Sequence, residues 1–541
     1  MILKSFRGAD KTPHIIKKAV NDMVDLVAAT YGPAGNNILT QLSTFDYRAV
    51  DDGITIAKNF GFVNEFEDAV AWFIRDTTFR TNDRGGDGTT SSLILLKAII
   101  NKVYENLDTQ LLVNKVNSRQ IVKEIQLGLI EAKNQLWGSV LGIDIEEQLK
   151  NVAKMSFAND EVAGKIADIY MKIGKEGVIT IEDIKSNEII SEIVQGFQIN
   201  KGYVSPYMVT NDKAEARLEN VYVLVTDKKI DNVQALLPIT NKISKNGQRE
   251  LVIIAEDYSP DVIGTLVANK MRGVFNVLAV KAPYYAEKKV DALKDIAALT
   301  GATFVSDSMG NKFDTLELPD LGKAEKVIAK KDNTIFVGDK TANLGFDIHI
   351  SNLKQLLPQA KSEYDRKDLE RRISRLENGV AILRVGGATD TETAALHYKV
   401  EDAVNAVKAA YKNGVVKGGG LSLYGLKTSS GVLNEALKAP FRQLSENCDI
   451  DIKPETLKDN EVVDFSTGEV KDYLSGGIYD PVDVVVAALE SAVSVATLLI
   501  SCKGIITDKR RRLRNVFDEV QFSDDELNDE ANKVMEDVGM K

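Results

Sequence analysis

The chain is poor in the residues from which metal centres and disulfide frameworks are built. Two cysteines, Cys448 and Cys502, and three histidines, His14, His349 and His397, occur in 541 residues. Neither cysteine has a CxxC partner and the histidines stand singly, so a zinc site is excluded and all five read as structural. Two free thiols fit a reducing compartment, and the cytoplasm is the expected location. Positive charge is also in deficit, with 68 Lys and Arg against 79 Asp and Glu and a net charge of -11, which argues against nucleic acid as a partner. Partners held by apolar contact fit better. No apolar run of about 18 residues escapes interruption by charge or glycine, so no membrane span is expected. The N-terminal stretch MILKSFRGADKTPHIIKKAV has no hydrophobic core of a signal peptide. A GxxxxGK[ST] loop and a kinase-type HRD or DFG set are likewise missing, which removes P-loop ATPases and protein kinases.

What the chain does have is length and apolar content, 44% hydrophobic over 541 residues, enough for two or more cores. From His14 to Thr30 the residues Ile15, Ile16, Ala19, Val20, Met23, Val24 and Val27 recur at helical spacing, and Gly32-Pro33 ends the helix. Short strands are expected at 37–40 and 54–57, and helices at 89–105 and 121–135. After Gly177 short β-branched runs (VITIED, VYVLVT, LVIIAED, FNVLAVKAP) alternate with helical stretches, the pattern of an α/β domain. The charged segment 363–376 reads as a solvated helix, and from Val400 to Ser501 the pattern is helical again. Helical, mixed, helical is the order expected when two helical ends pack together and carry an inserted domain. From Asp508 a basic cluster followed by an acidic stretch reads as a solvated tail.

Four segments have the chemistry of nucleotide binding. Tyr31-Gly32-Pro33-Ala34-Gly35-Asn36-Asn37 is a tight turn whose glycines admit a phosphate to the backbone. Gly85-Gly86-Asp87-Gly88-Thr89-Thr90 leads into a helix, where exposed amides and the positive helix end favour phosphate and Asp87 is suited to Mg²⁺. Gly418-Gly419-Gly420 lets a sugar or base lie against the main chain. Asp52, Asp402 and Asp480 complete the set; singly each is as well explained as a surface charge or helix cap, and their company makes the case.

Together these segments resemble the group I chaperonins of the bacterial GroEL type in order, spacing and wording. The resemblance is carried by ATYGPAGNN, VDDGITIAK, GGDGTTSS, GKEGVITIED, KGYVSPYM, DKKIDNVQALLP, VIIAEDYSPDVIGTLVANKMRG, VKAPYYAEKKVDALKDIAALTG, KVEDAV, NGVVKGGG and GGIYDPVDV, from about residue 14 to 507. It implies a multidomain α and α/β chaperonin subunit. A helical equatorial ATP-binding domain (1–137 and 415–541), a small intermediate hinge domain (138–195 and 380–414) and an inserted α/β apical substrate-binding domain (196–379) are expected. Asp87 would hold Mg²⁺, with Gly88, Thr89, Thr90 and Ser91 contacting phosphate. Thr30, Gly32 and Pro33 would lie along the nucleotide, Thr30 near a K⁺ ion. Asp402 resembles the carboxylate that activates the attacking water, assisted by Asp52. Gly419 and Asp480 would border ribose and base, and Asp464, Phe465 and Ser466 fall where the family contacts adenine. Tyr203, Tyr207, Met208, Leu237, Ile263 and Val267 fall on the family's apolar rim, which binds non-native polypeptides. Seven-subunit rings, single or double, and a co-chaperonin lid are the further partners the resemblance implies. Hinges are expected near Trp137-Gly138, Gly414, Gly196 and Gly379.

The chain departs from the family in several places. Ala34, Asn36 and Asp51 stand where lysine, arginine and lysine are usual, so three basic residues near the phosphates are missing. Asp51 beside Asp52 is expected to recruit a cation as counter-charge, a monovalent ion or a second divalent one, unless it points to solvent. Thr240 and Ala268 replace larger aliphatics of the rim, Tyr284-Tyr285-Ala286 replaces a GFG segment, and the 448–463 stretch is shorter than usual. Such divergence around an intact acidic set is expected of a chaperonin from a virus or a strongly diverged bacterium. The alternative reading is a passive peptide-binding scaffold that has lost ATP turnover.

Overall fold

The apolar stripe of the first helical segment folds as the helix Thr12–Ala28, with Ile16, Ala19, Val20, Met23, Val24 and Val27 buried. This is the computed structural model, which describes residues 4–508 apart from 44–45, 106–116, 176, 187, 212–213, 285, 311, 339–343 and 361. Tyr285 and the charged tail beyond Asp508 lie outside the described residues.

Chain contacts divide the protein into two units, 1–168 with 185–187 and 386–541, and 169–184 with 188–385. In the first, the helices Thr12–Ala28, Glu65–Gly85, Thr89–Val103 and Ser118–Gly138 surround or adjoin the helix Val482–Ser501, which packs on the last three of them. Val482–Ser501 corrects the expectation that no apolar run is long enough to span a membrane: by length and composition this one is, with Asp483 and Glu490 its charges. Its residues are mostly buried among the surrounding helices, including Val482, Leu489, Val493, Ala496 and Leu499. A helix apolar all round is what a core position demands. Each fully buried Val or Leu there contributes about 1.5–3 kcal/mol relative to exposure.

Among its described residues the same unit carries four two-stranded antiparallel ladders: 4–7 with 505–508, 38–43 with 46–50, 415–417 with 479–481, and 461–464 with 469–472. The strand expected at 54–57 is instead part of the helix Gly53–Asn59. Ile54, Ile56 and Ala57 favour either state by composition, and Asp52 decides it. Asp52 is extended (φ -79°, ψ 122°) and its carboxylate accepts from the N–H of Ile54 and Thr55, an N-cap that starts a helix one residue later. The final helical block also begins earlier than expected, with the helix Asp390–Asn413, and is interrupted by the short strands named above.

The second unit is built on a seven-stranded mixed sheet. Its strands run 276–281, 250–255, 216–226, 322–329, 334–338, 196–199, with 304–305 also on 216–226. The first three are parallel and the next three antiparallel. Val221, Val223, Leu224, Val225 and Leu251–Ala255 are buried, the near-continuous apolar run of strands covered on both faces. Helices Pro260–Met271 and Ala286–Thr300 pack on this sheet. A smaller sheet in the same unit pairs 178–183, 380–385 and 190–194.

Candidate functional site

Three loops and one helix face of the first unit converge. The helix Glu65–Gly85 ends at Gly86 and the helix Thr89–Val103 begins from Gly88, both glycines in the left-handed region (φ 71° and 82°). A Cβ at Gly88 would stand 2.7 Å from Val484 Cγ1, so only glycine fits the turn. This double turn presents Asp87, whose carboxylate accepts from the Gly88 N–H (2.5 Å) and the Ser156 hydroxyl (2.9 Å). The start of the Gly53–Asn59 helix lies against the same point, since a Cβ at Gly53 would meet Thr90 Oγ1 at 2.7 Å and Thr89 Oγ1 at 3.2 Å. Asp52 is thereby set beside the amino end of the Thr89–Val103 helix, the geometry that concentrates free N–H groups and positive dipole.

The Asp390–Asn413 helix supplies the opposite wall. Asn405 donates to the Gly86 carbonyl at 3.4 Å and packs its side chain against that glycine. One turn earlier on the same face is Asp402. Burial pushes the Asp402 carboxyl well above the usual carboxylate range, and the Asp87 and Asp52 carboxylates push it further. Asp87 is raised as well, by burial first, against the lowering effect of its Gly88 and Ser156 hydrogen bonds. Asp480, on the strand Tyr479–Pro481 paired to 415–417, is pushed up to about 7 by burial and by Asp87. Asp87 thus repels two further buried acids, Asp402 and Asp480.

The turn after the first helix closes that space. Asn447 donates to the carbonyls of Ala28 and Tyr31, both at 2.8 Å, and Thr30 donates to Val27 O at 2.8 Å. Tyr31 then receives the Ser91 hydroxyl at 2.9 Å, and burial raises its own phenol. Gly32 and Pro33 remain exposed at the turn. On the far side Gly419 lies by Phe465, whose ring packs edge-on against Phe441 at 5.4 Å. Asp464 and Ser466 are not drawn to the acids. The Asp464 carboxylate accepts from Lys471 and from the Ser466 N–H within its own hairpin.

Asp51 departs from expectation. Its carboxylate pairs with Lys399 Nζ at 2.8 Å, so a side chain of this protein supplies a counter-charge. Lys399 lies three residues before Asp402, a helical spacing from which the contact was legible. Asn405, three residues after Asp402, has the same helical spacing, whereas Ser156 and Asn447 carry no such signal, because each comes from a segment distant in sequence from its hydrogen-bond partners.

Among the described residues no three or more Asp, Glu, His or Cys groups are close enough to hold a metal by themselves. Asp87 presents a single carboxylate at the glycine turn, the donor type Mg²⁺ takes beside phosphate oxygens and water.

The sequence profile of the TCP-1/cpn60 chaperonin family matches residues 23–510. The chain belongs to that family. Two solved structures of a phage chaperonin, gp146 from bacteriophage EL 2 (Pseudomonas aeruginosa), both crystallised in the presence of ATP-BeFx, are similar to it. One superposes with a TM-score of 0.68 at 20% identity, covering 94% of this chain and 99% of that one. The other gives 0.62 at 19% identity, covering 93% and 99%. The chaperonin fold is therefore shared across nearly the whole length.

The residues expected on the chaperonin rim all fall in the second unit, with different exposures. Leu237 is 49% exposed at the start of the helix Leu237–Lys245. Ile263 and Val267, one turn apart on Pro260–Met271, are half-buried against the sheet core, as is Tyr203, whose N–H donates to Lys330 O at 3.2 Å. Tyr207 is half-buried in the short turn Pro206–Met208. Met208 is a correction: it is 1% exposed and its sulfur accepts from the Ala279 N–H, so it packs the core and presents nothing at the surface.

Proposed function

We propose that this chaperonin is an ATP-driven folding chaperone, in which Mg²⁺- and K⁺-dependent hydrolysis of ATP drives capture and release of non-native polypeptides within a ring of seven subunits. The observation that carries the reading is the convergence of Asp52, Asp87 and Asp402 at the glycine-shaped start of the Thr89–Val103 helix. Asp87 would hold Mg²⁺, which when bound neutralises phosphate charge. Gly88, Thr89, Thr90 and Ser91 offer N–H and hydroxyl donors to phosphate, and Thr30, Gly32 and Pro33 border the same space. Asp402 would take a proton from water as its oxygen attacks the γ-phosphorus and the bond to ADP breaks, with Asp52 orienting that water. A carboxylate held above its ordinary range is a better base for this step than an exposed one.

Asp480 and Gly419 would border ribose, and Phe465 adenine, with Asp464 and Ser466 shaping the hairpin behind it. Three working bodies follow on this reading: equatorial (1–137 and 415–541), intermediate (138–195 and 380–414) and apical (196–379). Leu237, Ile263, Val267, Tyr203 and Tyr207 would form the client surface, with a lid as a further partner and the cytoplasm as the setting. Steady-state ATPase of the wild type beside Asp402→Ala tests the reading. Turnover in the wild type that falls by about 100-fold in the variant supports it, and no turnover in either supports a passive peptide-binding scaffold.

A further inference from the structure

The face of the Asp390–Asn413 helix turned to the acidic cluster is fastened at two points, and the residue proposed to activate water lies between them. At one point Asn405 holds the Gly86 carbonyl, next to Asp87. At the other Lys399 pairs with Asp51, next to Asp52. Positions 399, 402 and 405 recur every three residues, so they share one face, with Asp402 between the two anchored residues. The acids that face Asp402 from other elements, namely Asp87, Asp52 and Asp51, would by repulsion alone push its segment of helix away, and Glu401 beside it on the same helix adds to the negative charge. Lys399 opposes this at the nearest turn, and it does so only because residue 51 is acidic.

We infer that Lys399, through its ion pair with Asp51, is a positioning residue that holds Asp402 over Asp52 and Asp87. The inference rests on the proposed role of Asp402. The pair keeps one positive charge beside the cluster while tying the helix to the loop that carries Asp52. Both partners are about 40% exposed on their side chains, so the pair adds little to global stability. Its value is in geometry, where a small displacement of a catalytic group has a large effect on rate.

A charge-swap cycle tests this on the full-length protein, with Asp51→Lys, Lys399→Asp and the double variant Asp51→Lys/Lys399→Asp. ATPase kcat and KM, ATP affinity by calorimetry in Mg²⁺, and melting temperature are measured for each. Each single reversal is expected to lower kcat about tenfold, from lost attraction and added repulsion. Melting temperature should stay within a degree or two of wild type, and the double variant should regain most of the lost kcat. Single variants with unchanged kcat, or a double variant no better than the singles, would overturn the inference. So would losses of kcat that merely follow losses of melting temperature, the signature of a structural contact. Asp402→Ala run in parallel keeps the two levels apart: if it hydrolyses ATP normally, the role of Asp402 fails, whereas a dead Asp402→Ala beside inert charge swaps refutes the clasp alone.

Discussion

At the residue scale the candidate site is defined by acids whose burial and mutual repulsion are relieved only when positive charge arrives. Asp402→Ala should retain ATP binding and lose about 100-fold in turnover, while Asp87→Ala should weaken Mg²⁺-ATP binding itself, read by titration calorimetry. Asp480 gives a prediction in pH. Its carboxyl is pushed up to about 7 in the folded chain, against about 3.9 for an ordinary Asp. The folded form therefore holds this proton more tightly than the unfolded chain does. The stability from this group is fully present below about pH 4, is lost as pH rises towards 7, and is level above that. Asp480→Asn removes the slope: without nucleotide, its melting temperature should exceed that of wild type by a few degrees at pH 8, and the gap should shrink on going to pH 5. Parallel melting curves across that range would refute the assignment.

Elements position these residues, and here the sequence was legible to different depths. The helix Thr12–Ala28 and the strands of the mixed sheet follow directly from apolar period and β-branched runs. Gly53–Asn59 did not, because seven residues with alternating Ile and Thr fit both periods and a single cap decides between them. Val482–Ser501 was read as helical, but the length of its apolar stretch was missed because Asp483 and Glu490 interrupt it, while most of its other residues are core. Of the site, the acids and glycine turns were readable, whereas Ser156 and Asn447 reach it from remote segments that tertiary packing alone brings near. Met208 was misread because a rim motif does not say which of its side chains turns inward. Gly88→Ala is the sharpest test of the turn, since a left-handed φ costs a non-glycine residue about 1–2 kcal/mol and the new Cβ would press on Val484. Lower melting temperature together with weakened ATP binding is expected. On the Pro260–Met271 helix, Ile263→Ser should reduce co-sedimentation of a denatured client while leaving ATPase near wild type, and unchanged capture would move the client surface elsewhere.

For the whole molecule, assembly and work are one question. Large apolar side chains stand on the ladders of the first unit: Phe6 is 72% exposed, Leu39 73%, Tyr47 61% and Ile506 70%. Two-stranded ladders also leave backbone edges free to pair with another copy. Phe6→Glu with Leu39→Glu should therefore break rings into smaller species in analytical ultracentrifugation, and an unchanged sedimentation coefficient would place the contacts elsewhere. The central claim, that ATP turnover drives folding, is tested most directly by the recovery of a chemically denatured enzyme diluted into the protein with Mg²⁺ and K⁺. Recovery that requires ATP with the wild type, and stops at capture without release in Asp402→Ala, is the predicted result; equal recovery without ATP, or with Asp402→Ala, would contradict it.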